Sequence, residues 1–97
     1  MNKILNLLGL ANRAGKIIAG EDMALEAIRN KKAVFVFLAK DAGINTKKRI
    51  MDKATYYEIA LETGFTSEEL SKAIGKENRM VVCLTDSGFA KKIKEIR

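Results

Sequence analysis

Apolar residues at Ile4, Leu5, Leu7, Leu8 and Ala11 recur at the three- and four-residue spacings of a helix face, and Gly15 follows where a left-handed residue would stop the helix. Lys16 to Ala19 then reads as a short strand. Gly20 opens a second helix, Glu21 to about Asn30, with Met23, Ala24, Ala27 and Ile28 predicted to face inward. Glu21 and Asp22 suit the positive pole of that helix, and Lys31 and Lys32 its negative end. Val34 to Ala39 is apolar at every position, the mark of a strand covered on both faces. Asn45 is expected to cap a third helix through about Tyr57, and a sparse strand should follow over Glu58 to Leu61. Thr66 and Glu69 have capping-box spacing and open a fourth helix that Gly75 closes. Met80 to Leu84 is a second wholly apolar strand. Asp86 then caps a last helix, with Phe89, Ile93 and Ile96 inward and Lys91, Lys92 and Lys94 mostly outward.

Five helices alternating with four strands predict an α/β fold: a three-layer α/β/α sandwich around a four-stranded, mixed sheet, because each wholly apolar strand needs helices on both sides. The pattern leaves the strand order open. With 97 residues, 47% of them hydrophobic, the chain has material for one core and is expected to be a single domain over residues 1–97. Proline is absent and no Ser- or Gly-rich run marks a linker. The longest apolar run, Ala33 to Ala39, has strand length, and the N-terminus is amphipathic from the start, so neither a membrane span nor a signal peptide is expected and the cytoplasm is the expected compartment. The single cysteine, Cys83, lies inside an apolar strand and reads as a small buried hydrophobe.

Charge and missing residue types narrow the function. Histidine is absent, which removes the commonest general base and the commonest metal ligand together. No Ser or Cys sits in a nucleophile setting, and no carboxylates cluster beside a loop glycine. An enzyme is therefore not expected, and neither is a metal or other cofactor. The formal charge is +6, and all of the surplus lies in residues 1–50, where ten Lys or Arg face four acids; residues 51–97 carry eight of each. Such an imbalance suits a polyanion partner. Within this basic half, the stretch from Leu8 to Gly20 holds Arg13 and Lys16 and ends on a helix start whose first amides have no intrahelical acceptor, apparatus for binding an anion. It is not a Walker loop. Five residues rather than four separate Gly9 from Gly15, Ile17 stands where Ser or Thr would hold magnesium, and a helix rather than a strand comes first.

Five segments carry a resemblance across nearly the full chain: Leu-Ala-Asn-Arg-Ala-Gly-Lys at 10–16, Gly20 at its helix start, Leu-Ala-Lys-Asp-Ala at 38–42, Asn-Thr-Lys-Lys at 45–48, and Ala-Ile-Gly-Lys-Glu at 73–77. On these residues the sequence resembles the bacterial YlxQ-like proteins of the ribosomal L-seven-Ae superfamily. The resemblance implies an α/β/α sandwich that binds kink-turns, RNA duplexes bent sharply at a bulge flanked by sheared G·A pairs, in ribosomal or riboswitch RNA, without catalysis. It also implies that the start of the second helix enters the groove beside the G·A pairs, while a loop before the last strand covers the bulge. A monomer that binds structured RNA is the expected form, with the ribosome as a further candidate partner and no membrane.

Carried over position by position, the resemblance gives these RNA-binding candidates: Arg13 and Lys16, expected to flank the turn beside Gly20; Gly20 and Glu21, through their backbone amides; Asp22, as an acceptor for guanine; Lys47, in the third helix; and Lys76, Asn78 and Arg79, in the loop before the last strand. The chain also departs from the pattern. Archaeal and eukaryotic members place Gly-x-Asn-Glu and, three positions later, a Lys; here stand Gly20, Glu21, Asp22, Met23 and then Glu26. Met23 accepts no such hydrogen bond, and Glu26 would repel phosphate. An alternative reading therefore stays open, a ribosome-associated or protein-interaction module that has lost specific kink-turn recognition. Lys48 and Arg49 read as solvent-facing charge.

Overall fold

The computed structural model describes residues 2–97. Helix α1 spans Lys3–Arg13, strand β1 Ile17–Ala19, α2 Glu21–Arg29, β2 Phe35–Leu38, α3 Ile44–Tyr56, β3 Ala60–Glu62, α4 Ser67–Ala73, β4 Val81–Leu84 and α5 Ser87–Ile96. The four strands form one sheet in the order β1-β4-β2-β3. It is mixed: β4 runs antiparallel to both β1 and β2, whereas β2 and β3 are parallel and joined through α3. No helix of the described residues is long and apolar enough to cross a membrane.

The two central strands, β2 and β4, are buried at every position, so both faces of the sheet are covered. Helices α2 and α3 pack together as one layer, and α1 packs against α4 and α5 as the other. The core holds Leu8, Ile28, Phe35, Phe37, Ile50, Leu70 and Ile93 around the Val-rich strands. Phe35 and Phe37, two apart in β2, share a face with ring centroids 5.0 Å apart. Cys83 is fully buried in β4, and loss of water around its thiol pushes its pKa up to about 12.

Four of the five helices end in the same way. Each closes with paired backbone bonds from the two residues past the cap, around a left-handed residue: Gly15, Lys31, Glu58 and Gly75, with φ between 55° and 72°. Glycine makes two of these turns readable from sequence, while Lys31 and Glu58 occupy a conformation that gives no residue-type signal. That explains one misplacement. Glu58 belongs to the turn that closes α3, so the third strand begins at Ala60 and not at Glu58.

Three more expectations need correction. Gly43, extended at φ −62°, caps α3, and Asn45 already lies inside the helix. Met23 is 61% exposed although Ala24 beside it is buried, and Leu25 takes the inward place instead. Ile96, in the last turn of α5, is also exposed; Phe89 and Ile93 turn inward as expected.

Candidate nucleic-acid interface

Strand polarity decides which segments meet. Ala19, at the end of β1, pairs with Val82; Leu38, at the end of β2, pairs with Val81; and Phe37 pairs with Glu62 near the end of β3. The C-terminal ends of β1, β2 and β3 and the N-terminal start of β4 thus lie at one edge of the core. Residues 20–23, 39–47, 63–67 and 76–80 are gathered there. Backbone hydrogen bonds fasten them: Gly20 N–H donates to Val81 O at 2.9 Å, Ala39 N–H to Met80 O at 2.8 Å, and Lys40 N–H to Phe65 O at 2.9 Å.

The start of α2 is the chemical centre of this corner. Gly20 caps it with φ 109° and ψ 149°, a conformation open to glycine and costly for other residues. Ala24 N–H closes the first intrahelical bond on Gly20 O, which leaves the amides of Glu21, Asp22 and Met23 without an acceptor among the described residues. Gly20 itself is not free, because its amide is spent on Val81. Of the two amides expected to be free, at Gly20 and Glu21, only that of Glu21 is so, and those of Asp22 and Met23 join it. Helix polarity and three aligned N–H groups make this end attractive to an anion.

The Glu21 carboxylate has partners on the neighbouring helix. Thr46 Oγ1 donates to it at 2.7 Å and Arg49 Nη1 lies 2.8 Å away. Sequence reasoning set Arg49 aside as solvated charge, although a signal existed: Thr46 and Arg49 are three apart and so share one face of α3. Lys47, half-buried in the first turn of α3, is near enough to Asp41 for its charge to act on that carboxyl. Asp41 accepts from Ser67 N–H at 2.7 Å and from Ser67 Oγ at 2.6 Å, tying the loop after β2 to the start of α4.

These two Ser67 bonds, with a lesser pull from Lys47, hold the Asp41 carboxyl below its usual 3.8. A lowered carboxylate pKa gives stability that is present above the unfolded value and is lost as pH falls through the folded one. Asp41→Asn is accordingly expected to flatten the acid side of the stability profile: the urea midpoints of the two proteins should differ at pH 6 and converge on acidification through the Asp41 titration. A constant difference down to about pH 2 would contradict this.

The loop from Lys76 to Arg79 is pinned from beneath. Ser71, a buried polar residue in α4, accepts from Arg79 N–H at 2.8 Å, and Asn78 is left-handed at φ 53°. Asn12, at the end of α1, donates from Nδ2 to Ile74 O at 3.0 Å and steadies the far end of α4. Arg79 Nη1 donates to Glu77 O, so part of its guanidinium is held within the loop.

Arg13 and Lys16 do not flank Gly20. Lys16 O accepts from Thr85 N–H while Gly20 N–H reaches Val81, so the two lie at opposite ends of β1, about 13 Å apart for four residues of strand. Arg13 is the last residue of α1 and borders the groove between α1 and α4 with Ile74 and Gly75. The corner therefore brings together Gly20, Glu21, Asp22, Lys47, Lys76, Asn78 and Arg79, and leaves Arg13 and Lys16 outside. Tyr56 is exposed at the far end of α3, edge-on to the half-buried Tyr57 at 4.9 Å. Among the described residues no group of His, Cys, Asp or Glu is placed to hold a metal ion.

The fold is a mixed four-stranded α/β/α sandwich in which the start of α2, the first turn of α3 with Lys47, and the loop with Lys76 and Arg79 lie at one end of the strands. The chain belongs to the ribosomal protein L7Ae/L30e/S12e/Gadd45 family, whose profile matches residues 2–95. It is 50% identical over 94 residues to the RNA-binding protein YlxQ of Enterococcus faecium, covering 97% of this chain and 90% of that one. Identity to the RNA-binding protein YlxQ of Bacillus subtilis (strain 168) is 47%, covering 90% of this chain and 87% of the relative. Among solved structures, a protein of unknown function from Bacillus halodurans superposes with a TM-score of 0.93 at 39% identity, covering 98% of this chain and 96% of the other. The Giardia lamblia 15.5 kD RNA-binding protein shares the fold, with a TM-score of 0.84 at 20% identity over 95% of this chain and 79% of its own.

Proposed function

We propose that this protein is a non-enzymatic, monomeric RNA-binding protein of the cytoplasm that recognises kink-turns in ribosomal or riboswitch RNA and stabilises their bent form. The observation that carries the reading is the set of three amides at Glu21, Asp22 and Met23, unpaired among the described residues, at the same sheet edge as Lys47 and the Lys76–Arg79 loop. Its family membership and the names of its YlxQ relatives support the same partner class.

The physics is direct. Regular A-form RNA hides its base edges in a deep, narrow major groove, whereas a sharp kink crowds phosphates together and opens that groove to a helix end. In this reading the amides of α2 take a phosphate, and Lys47, Lys76 and Arg79 neutralise the crowded backbone. Asp22, exposed in the first turn of α2, accepts from guanine at the G·A pairs, and Asn78 meets a base edge at the bulge. Binding the bent form more tightly than the straight one is what shifts the RNA between them. Arg13 and Lys16, at the other end of β1, add only long-range charge.

A labelled kink-turn titrated with the protein, beside the same RNA with Watson–Crick pairs in place of its G·A pairs, tests this at two salt concentrations. The expected result is preference for the kink-turn by at least about tenfold, with affinity for both RNAs falling as salt rises. Equal affinities would sink the specific claim and leave the interaction-module alternative in its place.

A further inference from the structure

The geometry points to a role for the Glu21 side chain that its backbone does not share: the carboxylate is a clasp that positions α3 and cancels the charge of Arg49, and it does not contact RNA. The inference rests on the function proposed above and concerns how its central corner is kept usable.

The observations are these. Glu21 is the first residue of α2, so its carboxylate stands beside the unpaired amides. One oxygen, Oε1, accepts from Thr46 Oγ1 at 2.7 Å, and the other, Oε2, meets Arg49 Nη1 at 2.8 Å. Both oxygens are thereby engaged from α3, and the carboxylate, being an acceptor only, has no proton to offer a phosphate. Glu21 is also the more buried partner, its side chain 27% exposed against 55% for Arg49. A second bare carboxylate in this turn, beside that of Asp22, would add to the repulsion of a phosphate and oppose the attraction of the helix end. Paired with Arg49, it is electrically quiet. The same bonds lock the first two turns of α3 to the start of α2, and so fix where Lys47, one residue from Thr46, stands relative to the amides. Asp22, the other acid of this turn, is exposed and has no partner of this kind among the described residues, so the two neighbouring acids differ: Glu21 is tied to α3 and Asp22 is left open to solvent.

A charge-pair cycle tests this. Arg49→Gln strips the pair and exposes the negative charge, and is expected to weaken kink-turn binding about three- to tenfold. Glu21→Gln added to it removes that charge and should return affinity to within about twofold of the wild type. Glu21→Gln alone frees the Arg49 cation and should steepen the slope of log affinity against log salt by about 0.7 to 0.9, the increment of one further phosphate contact. A merely structural pair would change the folding midpoint and leave the salt slope alone. The pair is exposed enough that each variant should stay folded, with only a small shift in urea midpoint.

Further weakening of Arg49→Gln by the added Glu21→Gln would overturn the clasp, since it would mean that RNA uses the carboxylate directly. An Arg49→Gln protein with wild-type affinity would overturn it as well. Failure of the underlying function is separable, because the wild type is titrated in the same series: equal binding of kinked and unkinked RNA removes kink-turn recognition while the rescue is still read on either RNA. Absence of binding to both removes the function and the clasp together.

Discussion

Phe37→Ala is expected to destabilise the protein by about 3–5 kcal/mol, a large share of the roughly 5–15 kcal/mol that holds a domain of this size folded. Phe37 is fully buried in β2, where its backbone pairs with Val82 of β4 on one side and Glu62 of β3 on the other. Its ring touches Phe35 at 5.0 Å and lies 6.2 Å from the half-buried Phe65. Truncation leaves a hole that cannot close: the neighbouring backbone is fixed by ladders on both sides, and a helical layer covers each face. The cost therefore includes the lost transfer energy and most of the cavity term. Urea unfolding should show a lower midpoint with little change in slope, and melting should fall by more than about 12 °C for a chain of this length. Tyr56→Ala is the contrast. That ring is 78% exposed, and its loss should stay within about 0.5 kcal/mol. Equal costs at the two positions would mean that the core is not organised around β2.

The sequence carried the layers of this fold better than its edges. Strands β2 and β4 were legible because burial on both faces leaves an unbroken run of apolar residues, and α4 because Thr66 and Glu69 form a capping box whose bonds are all present. Helix ends at Gly15 and Gly75 were legible for the same kind of reason, a residue type that the turn demands. Lys31 and Glu58 make the same turns without that residue type. Their left-handed φ has no residue-type signal, so the sequence does not mark where α3 ends and β3 begins. Gly43 hides the start of α3 because it caps without a side chain, and Asn45 offers a plausible side chain two residues too late.

The corner was legible in its backbone and not in its side-chain pairing. Gly20 announced a helix start in any reading, and the family resemblance placed Lys47 and the Lys76–Arg79 loop near it. What local spacing cannot express is strand direction: Lys16 and Gly20 are close in sequence, yet a strand between them drives them apart, so Arg13 and Lys16 stand at the other end of β1 from Gly20. The Glu21, Thr46 and Arg49 cluster joins residues 25 and 28 positions apart and exists only because α2 and α3 share a layer. Ser71 is the same case in another element. As a small polar residue in an amphipathic helix it looks ordinary, and its role beneath Arg79 comes from the loop folding back over α4.

The second large effect is on the RNA side. Gly20→Ala is expected to lower kink-turn affinity by at least about tenfold and stability by about 1–3 kcal/mol. No heavy atom lies within 4 Å of where the new Cβ would stand, so overlap within the protein is not the cause. The cause is the backbone: φ 109° with ψ 149° is a conformation that side chains other than glycine's rarely adopt. The alanine protein can keep it and carry the strain, or relax it by turning the Gly20 peptide, which breaks the 2.9 Å bond to Val81 O and re-aims the amides at the start of α2. Gly43→Ser separates this from a general effect of adding side chains at the corner. Gly43 caps α3 with an ordinary φ of −62° and open space around it, so a serine there should cap normally, raise stability by a few tenths of a kcal/mol and leave RNA affinity near that of the wild type. If Gly20→Ala lost stability and yet bound the kink-turn as tightly as before, the amides of Glu21, Asp22 and Met23 would not be the element that holds the phosphate.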